Sequence, residues 1–540
     1  MNDTMNAPPN GLVNDKEMLQ LVQSGLPPDQ LRAEVTRRLV QRAEAEEAEW
    51  GALLRAAAIP RRLDEGVVGM LRGAPDDAQG NQTALQRLAS YYFVLPDPEG
   101  RSYALHEEVR VVLLEDWQAP ERRARYIELS RALWKYFARV GETEEFVPFP
   151  HLLLESLYHH FVFDPAGALA EFERRFGEAD KFYRRAECGA LLAAAEEQER
   201  ELNAEQRLWL RYYRARLALV LDRWAEAEAG YRELLAELPP SSPAPLPTQG
   251  EGRLRTWTLH DLGMALDKQG KWAEGVEVYQ EALKGRRELG DRHGEGKTLM
   301  GLGSVYQAQS RWEQAIECYQ ESLHIKRELG DRYGEGQTLN NLGLVYQAQS
   351  RWEQAIECYQ ESLHIKRELG DRHGEGITLN NLGIVYQAQG RWEQAIERYE
   401  ASLRICRELG DRHGEGITLN NLGETYTTQG RLQEAKACFD QSLPIRRELS
   451  DRLGEAYVLH NLGQWHKGQG QFDEAMACYQ EALCIRQELG AWPQAGETLH
   501  ALAEVHTLRG EWAKAAEMAE QAAGVWRRAA ERGRISGEHE

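Results

Sequence analysis

The sequence predicts an all-α protein whose larger part is an α-solenoid, an elongated stack of helical hairpins. Nearly the same 40-residue sequence recurs in seven copies from Thr258 to about residue 520, and the middle copies are almost identical. Each copy carries two sets of apolar residues at helical spacing. A repeat of this length cannot bury its hydrophobic face alone, so neighbouring copies must complete one another's cores.

The copy at residues 338–377 shows how one hairpin is encoded. Its leading helix carries Leu339, Leu342, Val345 and Tyr346, and its trailing helix carries Trp352, Ala355, Ile356, Tyr359, Leu363 and Ile365. A left-handed residue is expected to end each leading helix, and the candidates are Ser310, Ser350, Gly390, Gly430, Gly470 and Gly510. Asp291, Asp331, Asp371 and Asp411 are expected to cap the leading helix that follows each of them.

A glycine stands inside the leading helix of most copies, although it costs about 1 kcal/mol relative to alanine. These glycines are Gly263, Gly303, Gly343, Gly383, Gly423 and Gly463. Small residues twelve positions later, such as Ala355, are expected to let the trailing helix approach the glycine closely. An aromatic residue such as Tyr359 follows after four more positions.

This spacing of Leu-Gly, Tyr, Ala and Tyr or Phe resembles the tetratricopeptide repeat, in the 40-residue variety of kinesin light chains and many bacterial signalling proteins. The resemblance covers residues 256–525. It implies a right-handed superhelix whose leading helices line a concave groove. The terminal copies depart from the pattern, with Leu266 and His466 in place of tyrosine and Ala503 in place of glycine. Such departures are expected where one face of a repeat meets water.

The residues just before each Leu-Gly pair are expected to point into the groove as an asparagine ladder. Asparagine is a poor helix former, and its amide offers both a donor and an acceptor to an extended peptide. The predicted partner-binding residues are Asn340, Asn341, Asn380, Asn381, Asn420, Asn421 and Asn461, with Leu344, Ile384, Gln347 and Gln387 further along the same surface. Alternatively, Asn341 and its equivalents bond to neighbouring helices and hold the stack together. The first asparagine of each pair is the better ligand candidate.

A different pattern precedes the repeats. Tyr91–Leu95 and Arg101–Leu105 are β-prone runs separated by Asp-Pro-Glu-Gly, which predicts a hairpin between helices. Together with Leu53, Leu54 and the segment Ala84–Leu88, this order resembles the winged-helix module of signal-transduction ATPases with repeat sensors. No nucleotide-binding domain is expected ahead of it, because Met1 stands shortly upstream. ATP hydrolysis is therefore not carried over from these ATPases, and the resemblance implies a packing module.

These patterns divide the chain into six segments. They are a disordered N-terminus at 1–15, a winged-helix-like domain at 16–118, a helical region with degenerate repeat-like hairpins at 119–238, a proline-rich linker at 239–250, the solenoid at 251–528 and a disordered C-terminus at 529–540.

Composition restricts the partners and the compartment. The chain has 86 acidic and 65 basic residues and a formal net charge of -21, which repels polyphosphate backbones and argues against nucleic acid as the main partner. Seven cysteines without a Cys-x-x-Cys pair fit reduced thiols in the cytoplasm. The sequence shows no export signal and no apolar run long enough to span a membrane.

No catalytic, cofactor or metal site is predicted. Gly296-Lys297-Thr298 matches the end of a phosphate-binding loop, but Asp291 stands where the first glycine belongs and no strand precedes it. His293, His373 and His413 each stand alone, without the neighbouring ligands that a metal requires.

The sequence thus favours a cytoplasmic, non-enzymatic interaction scaffold that binds a protein or peptide in the groove. Two alternatives remain. The first is a regulatory or sensor subunit of a split ATPase switch, working with a separately encoded ATPase or effector. The second is a DNA-binding regulator controlled by a peptide. A winged helix would contact DNA through its second helix and its β-hairpin, and here these carry only Arg87 and Arg101 as cations, which argues against this alternative.

Overall fold

The computed structural model describes residues 27–91, 93–97, 102–143, 151–181, 184–238 and 249–535. It confirms the predicted all-α solenoid and divides into two compact units, one ending at Pro240 and the other beginning at Ser241. The predicted tail 1–15 and residues 239–248 of the predicted linker lie outside the described residues. Residues 536–540 also lie outside them, whereas 529–535 of the predicted C-terminal tail belong to the last helix.

The first unit consists of helices around one short β-hairpin, followed by further helices. Its elements are α1 (Pro28–Glu46), α2 (Ala48–Ala56), α3 (Glu65–Arg72), α4 (Ala78–Ala89), β1 (Val94–Pro96), β2 (Tyr103–Leu105), α5 (Glu107–Asp116), α6 (Pro120–Thr143), α7 (His151–Phe163), α8 (Pro165–Lys181), α9 (Arg185–Glu196), α10 (Ala204–Val220) and α11 (Trp224–Glu237). A buried core that includes Leu54, Val67, Phe93 and Leu113 joins α2, α3, the hairpin and α5.

The β-hairpin forms on either side of the Asp-Pro-Glu-Gly segment. Strands β1 and β2 are antiparallel, with Val94 opposite Leu105 and Pro96 opposite Tyr103. Leu63 forms an isolated antiparallel bridge to Tyr103 on the other side of β2. The first strand is shorter than the predicted run because Tyr91 and Phe93 are buried in the core before pairing begins.

The second unit is a row of seven helical hairpins. The leading helices are α12 (Gln249–Lys268), α14 (Arg292–Ala308), α16 (Arg332–Ala348), α18 (Arg372–Ala388), α20 (Arg412–Thr428), α22 (Arg452–Gly468) and α24 (Trp492–Leu508). The trailing helices are α13 (Trp272–Leu289), α15 (Trp312–Glu328), α17 (Trp352–Glu368), α19 (Trp392–Leu409), α21 (Leu432–Glu448), α23 (Phe472–Glu488) and α25 (Trp512–Ile535). Most of the hairpins share one continuous hydrophobic core.

The helix ends lie at the residues that the sequence predicts. The six candidates for ending a leading helix all have positive φ, from 57° at Ser350 to 75° at Gly510. The four predicted aspartate caps each accept a hydrogen bond from a glycine amide three residues on, at 2.8–2.9 Å. Each carboxylate thereby satisfies one of the free N–H groups at the start of a helix.

The glycine inside each of the first six leading helices lies against an aromatic ring of the trailing helix. A methyl group added to Gly343 would stand 2.6 Å from Cε1 of Tyr359, and the equivalent glycines meet an equivalent ring. The small residue Ala355 is buried, and the ring of Tyr359 is the contact that excludes a side chain at Gly343. Tyr359 Oη then donates a hydrogen bond of 2.9 Å to Gln347 Oε1 in the leading helix.

A buried glutamate in the first turn of each inner leading helix joins three helices. Glu415 accepts from Arg407 Nε of the preceding trailing helix at 2.8 Å and from Arg412 NH1 at 2.6 Å. Arg412 NH2 lies 3.1 Å from Glu448 at the end of the next trailing helix. The same pattern recurs around Glu295, Glu335, Glu375 and Glu455. These ion pairs therefore fix the position of each hairpin relative to the one before it.

We expect Gly343→Ala to lower the free energy of unfolding by about 1–3 kcal/mol, because overpacking must displace the ring of Tyr359 or the helix. Urea denaturation followed by circular dichroism at 222 nm measures the change. Gly524→Ala is the matched control: Gly524 lies in the interior of α25 with no atom within 4 Å of an added methyl group, so it should be neutral or stabilising by up to about 1 kcal/mol. Equal effects of the two substitutions would contradict this account of the glycine.

We expect Glu415→Gln to lower the free energy of unfolding at pH 7 by about 1.5–3 kcal/mol, the range for hydrogen bonds to charged groups. Burial raises the pKa of Glu415, but Arg407 and Arg412 together outweigh it, so the pKa is lowered overall. The lowered pKa gives the wild type a stability that is present above the unfolded-state pKa and is lost as pH falls through the folded-state pKa. The difference between variant and wild type should therefore shrink below about pH 4.

Urea titrations from pH 3 to pH 8 measure this dependence. Glu448→Gln, which alters only the exposed outer partner of Arg412, should change the free energy of unfolding by less than about 0.5 kcal/mol. A stability difference for Glu415→Gln that stays constant down to pH 3 would rule out the ion pairs as its source.

Candidate partner-binding groove

The leading helices form one side of the second unit. Each leading helix contacts the next leading helix as well as its own trailing helix, whereas successive trailing helices do not approach one another to the same extent. The leading helices therefore lie on the inner side of the stack, and the residues that they expose there line a groove.

Amide–amide hydrogen bonds run along this inner side. The bonds join Asn381 Nδ2 to Asn340 Oδ1 at 3.3 Å, Asn421 Nδ2 to Asn380 Oδ1 at 3.1 Å and Asn461 Nδ2 to Asn420 Oδ1 at 3.1 Å. The second asparagine of one repeat thus donates to the first asparagine of the preceding repeat. Asn381, Asn421 and Asn461 therefore have the stack-holding contacts that were the alternative to ligand binding, whereas Asn341 faces the repeat of Met300 and has no asparagine there to bond to.

The ladder differs in exposure along its length. Asn340 and Asn381 are only 8% and 9% exposed, and Asn340 also accepts a hydrogen bond from Thr378 Oγ1 at 3.3 Å. The other predicted asparagines, which are Asn341, Asn380, Asn420, Asn421 and Asn461, are half-buried. Within the described residues, the side-chain nitrogens of Asn380 and Asn420 donate to no protein group. The open part of the ladder therefore begins at Asn380, and Asn340 is poorly placed to touch a ligand.

The predicted residues further along have partly structural roles. Leu344 and Ile384 are half-buried and pack against the core. Gln347 and Gln387 accept hydrogen bonds from the hydroxyls of Tyr359 and Tyr399 at 2.9 and 2.8 Å, so their carbonyl oxygens are used inside the repeat. The groove at this level combines apolar and amide surface.

Glu424 replaces the apolar residue of this row in the fifth repeat. Its side chain reaches solvent, yet the surrounding protein raises the pKa of its carboxyl by desolvation, against a hydrogen bond from Gln387 that lowers it. The groove therefore acquires a carboxyl group one repeat beyond Ile384.

Histidines occupy the position of the first asparagine outside the ladder, at His460 directly after it and at His260 one repeat beyond Met300. His460 Nδ1 lies 3.4 Å from Thr498 Oγ1, and His260 Nδ1 makes the same contact with Thr298. Burial, together with Arg486 and Lys467, lowers the pKa of His460 to about 4. The imidazole of His460 is therefore neutral at pH 7 and continues the row of uncharged polar groups.

A cavity opens at the last two leading helices. This cavity of about 660 Å³ is lined by Lys467, His500, Glu504, Thr507 and Trp512, among others. His500 occupies the position of the first asparagine, and Lys467 and Thr507 occupy the position of Gln347. The positions that the sequence assigns to the groove thus face open space in this part of the structure.

The described residues show no other functional centre of the kinds considered from the sequence. No group of three His, Cys, Asp or Glu side chains is placed to hold a metal ion. Gly296-Lys297-Thr298 lies inside α14, so these residues form part of a helix rather than a loop. None of the described helices combines the length and the apolar character that crossing a membrane requires.

Comparison with known families gives one family model, described as tetratricopeptide repeat. It matches residues 254–328, 334–408, 374–448, 414–488 and 454–528, which together make up half of the chain. No curated protein sequence matches the chain.

Three similar solved structures extend the comparison. A Rap protein complexed with competence and sporulation factor has a TM-score of 0.50 at 15% identity, over 68% of this chain and 99% of that protein. The apo form of the quorum sensor NprR from B. thuringiensis has a TM-score of 0.53 at 16% identity, over 67% and 99%. The signal transduction ATPase with numerous domains PH0952 from Pyrococcus horikoshii, which carries a tetratricopeptide repeat sensor, has a TM-score of 0.51 at 15% identity, over 94% and 69%. At these identities the likeness shows the fold alone.

We expect the double variant Asn421→Ala, Asn461→Ala to destabilise the stack by about 0.5–1.5 kcal/mol for each amide bond lost. Asn341→Ala is the control, because the acceptor position of the preceding repeat, which the first asparagine occupies elsewhere, is Met300 and carries no amide oxygen. This control variant has the same gain in helix propensity on replacing asparagine by alanine, but it breaks no amide–amide hydrogen bond. The comparison is made by urea denaturation, and a per-site change equal to that of the control would show that the ladder contributes no stability.

Proposed function

The chain belongs to the tetratricopeptide repeat family, and from this premise we propose that it is a cytoplasmic, non-catalytic scaffold that holds a protein or peptide partner in the groove of its leading helices. The observation that carries the proposal is the open part of the asparagine ladder. Asn380 and Asn420 are half-buried on the inner side, and their amide nitrogens retain donor groups there. Such groups suit the carbonyl oxygens of an extended backbone.

The ladder is held in place before any partner arrives. The oxygens of Asn380 and Asn420 are fixed by the second asparagines of the next repeats, and the buried glutamates fix successive hairpins. A preformed surface binds with less loss of conformational entropy, so many modest contacts can add up to useful affinity. The similar Rap protein is complexed with competence and sporulation factor, which supports a ligand-holding role for this fold.

The cytoplasmic assignment is supported by the thiols. All seven cysteines are free, including the exposed Cys484. Unpaired thiols suit a reducing compartment.

A second candidate function is that of a sensor or regulatory subunit of a split ATPase switch. The likeness to the Pyrococcus horikoshii ATPase with a repeat sensor extends over 94% of this chain. The order of α2, the Leu63 bridge, α3, α4 and the β1–β2 hairpin fits the winged-helix module that the sequence suggests. In that role the partner is a separately encoded ATPase or effector.

A DNA-binding role is disfavoured by the contacts of α4. Arg87 forms a double ion pair with Glu47, at 3.1 and 2.8 Å, and its guanidinium lies 3.9 Å from the ring centre of Trp50. The cation that would have to meet a phosphate is thus used inside the first unit. Arg101, the other candidate, lies outside the described residues.

We expect Asn380→Ala combined with Asn420→Ala to reduce capture of the partner by about tenfold or more, corresponding to at least one lost contact. The partner is first identified by affinity purification of the full chain and mass spectrometry, and its dissociation constant is then measured by calorimetry. Recovery of an ATPase or effector protein would favour the second candidate function.

The control variant is Asn421→Ala combined with Asn461→Ala. Both double variants break the same two amide bonds, but only the first removes the amides of Asn380 and Asn420. The difference between them therefore isolates the contacts with the partner from the stability of the stack. Equal affinity for both would assign these asparagines to the stack alone, and the groove would no longer explain binding.

A further inference from the structure

A buried cation stands near the end of the trailing helix in five of the repeats and is replaced in a sixth. The cations are Arg286, Lys326, Lys366, Arg446 and Arg486, and all five are buried. The equivalent position in the fourth repeat is Cys406, whose side chain is much shorter. The repeats are otherwise so alike that they serve as references for one another at this position.

The buried cations use three kinds of acceptor at the start of the next leading helix. Lys326 Nζ lies 2.7 Å from Oδ2 of the cap residue Asp331. Lys366 Nζ donates to the carbonyl oxygen of Gly374 at 3.2 Å and to Thr378 Oγ1 at 2.8 Å. Arg446 is paired in the same way with its cap residue Asp451, and Arg486 NH1 lies 2.6 Å from Thr498 Oγ1.

These acceptors are retained beside Cys406, although the cation is gone. Asp411, Gly414 and Thr418 are the equivalent cap, carbonyl and hydroxyl. Asp411 Oδ1 caps the amide of Gly414 at 2.9 Å, and Oδ2 faces His373 Nδ1 at 3.6 Å. The space beside them is a cavity of about 160 Å³. The fourth repeat therefore keeps the lining of a cation site and lacks the cation.

The mouth of this cavity is apolar. Ile377 and Leu409 line it, and both are close to half exposed. The first and second repeats have Lys297 and Gln337 where the third has Ile377. An aliphatic rim over buried acceptors suits a side chain with a long apolar stem and a cationic end. Asn380 also lines the cavity, so the cavity adjoins the open part of the asparagine ladder.

We propose that this cavity binds the side chain of a lysine or arginine carried by the partner peptide, in the place that an internal lysine or arginine occupies in the other repeats. The peptide as ligand rests on the proposed function, whereas the cation site rests on the cavity and its acceptors. A cation at this depth stays charged: burial lowers the pKa of Lys366 only to about 8, with Asp371 opposing the shift. The net charge of -21 favours the approach of a basic segment.

The probe for the site is n-butylammonium, which reproduces the lysine side chain, with n-butanol as its neutral counterpart. Ile417 lines the cavity together with Ile377. We expect saturable shifts of the methyl resonances of both residues in the full chain, with a dissociation constant of about 1–10 mM for so small a ligand. In Cys406→Lys the internal ammonium should occupy the cavity, abolish the shifts and raise the melting temperature. Equal concentrations of sodium chloride control for ionic strength.

A gain-of-site variant keeps the test independent of how well Cys406→Lys packs. Lys366→Cys should create a second cavity of the same kind one repeat earlier. Bound n-butylammonium should then slow modification of the introduced thiol and of Cys406 by a small thiol reagent at least threefold, as read by mass spectrometry of the peptides. Cys318 and Cys438, which lie at another position of the repeat, provide the internal references.

Three outcomes would overturn the proposal: shifts that do not saturate, equal shifts with n-butanol, or binding that persists in Cys406→Lys. The first would show no specific binding, the second binding through the butyl chain alone, and the third binding at another place. If n-butylammonium does not bind but the asparagine variants still weaken partner capture, the cation site is wrong and the proposed binding function of the groove stands. Conversely, n-butylammonium binding with no captured partner would preserve the cation site and remove the proposed function.

Discussion

The contact between an aromatic ring and a glycine sets the geometry on which the second unit depends. A side chain at Gly343 would collide with Tyr359, so the two helices of a hairpin can approach only where the leading helix has none. The ring position in turn brings the tyrosine hydroxyl to Gln347. The fifth repeat has Phe439 without a hydroxyl, and Thr427 replaces the glutamine and bonds to its own helix instead. The glycine, the ring and the glutamine therefore act as one unit.

Contacts between hairpins make a stack from these units. The buried glutamates connect each leading helix to the trailing helices before and after it, and the asparagines connect successive leading helices. Both sets of contacts join only nearest neighbours, so the stability of such an array is close to a sum of repeat and interface terms. The asparagines of the groove are held by the same hydrogen bonds that hold the stack. The part of the groove in which the repeats are alike is therefore a preformed surface. Its selectivity must come from positions where the regular pattern changes.

The sequence predicted most of this fold because the features that determine it are local and repeated. The helix ends at Ser350 and Gly390, the caps at Asp331 and Asp371 and the apolar spacing all depend on residues within one repeat. The contacts that the sequence did not predict join distant residues. The sequence around Asn380 does not show that Asn421 will donate a hydrogen bond to its side-chain oxygen. Only the packed structure shows that the side chain of Asn340 is buried while that of Asn380 is half-buried. The contact between Gly343 and the ring of Tyr359 was missed for a related reason, since spacing places Ala355 and Tyr359 on the same face and does not show which of them lies against the glycine.

Positions that are identical in successive repeats and positions that differ between them have different effects on the proposed binding. An amide ladder contacts main-chain groups that every peptide has, so it can supply affinity along a strand but little discrimination between strands. Three positions differ between repeats: Glu424 puts a carboxyl group beyond Ile384, His460 ends the ladder with a neutral ring, and Cys406 removes a cation. Of these, only the change to Cys406 both opens a cavity and leaves buried acceptors whose equivalents hold a charge elsewhere. A ligand that does not reach these acceptors gains nothing from the cavity, whereas a cationic side chain that reaches them forms hydrogen bonds with groups that the fold already holds in place. Discrimination between peptides is therefore expected to be strongest beside Asn380, where the ladder and this cavity meet.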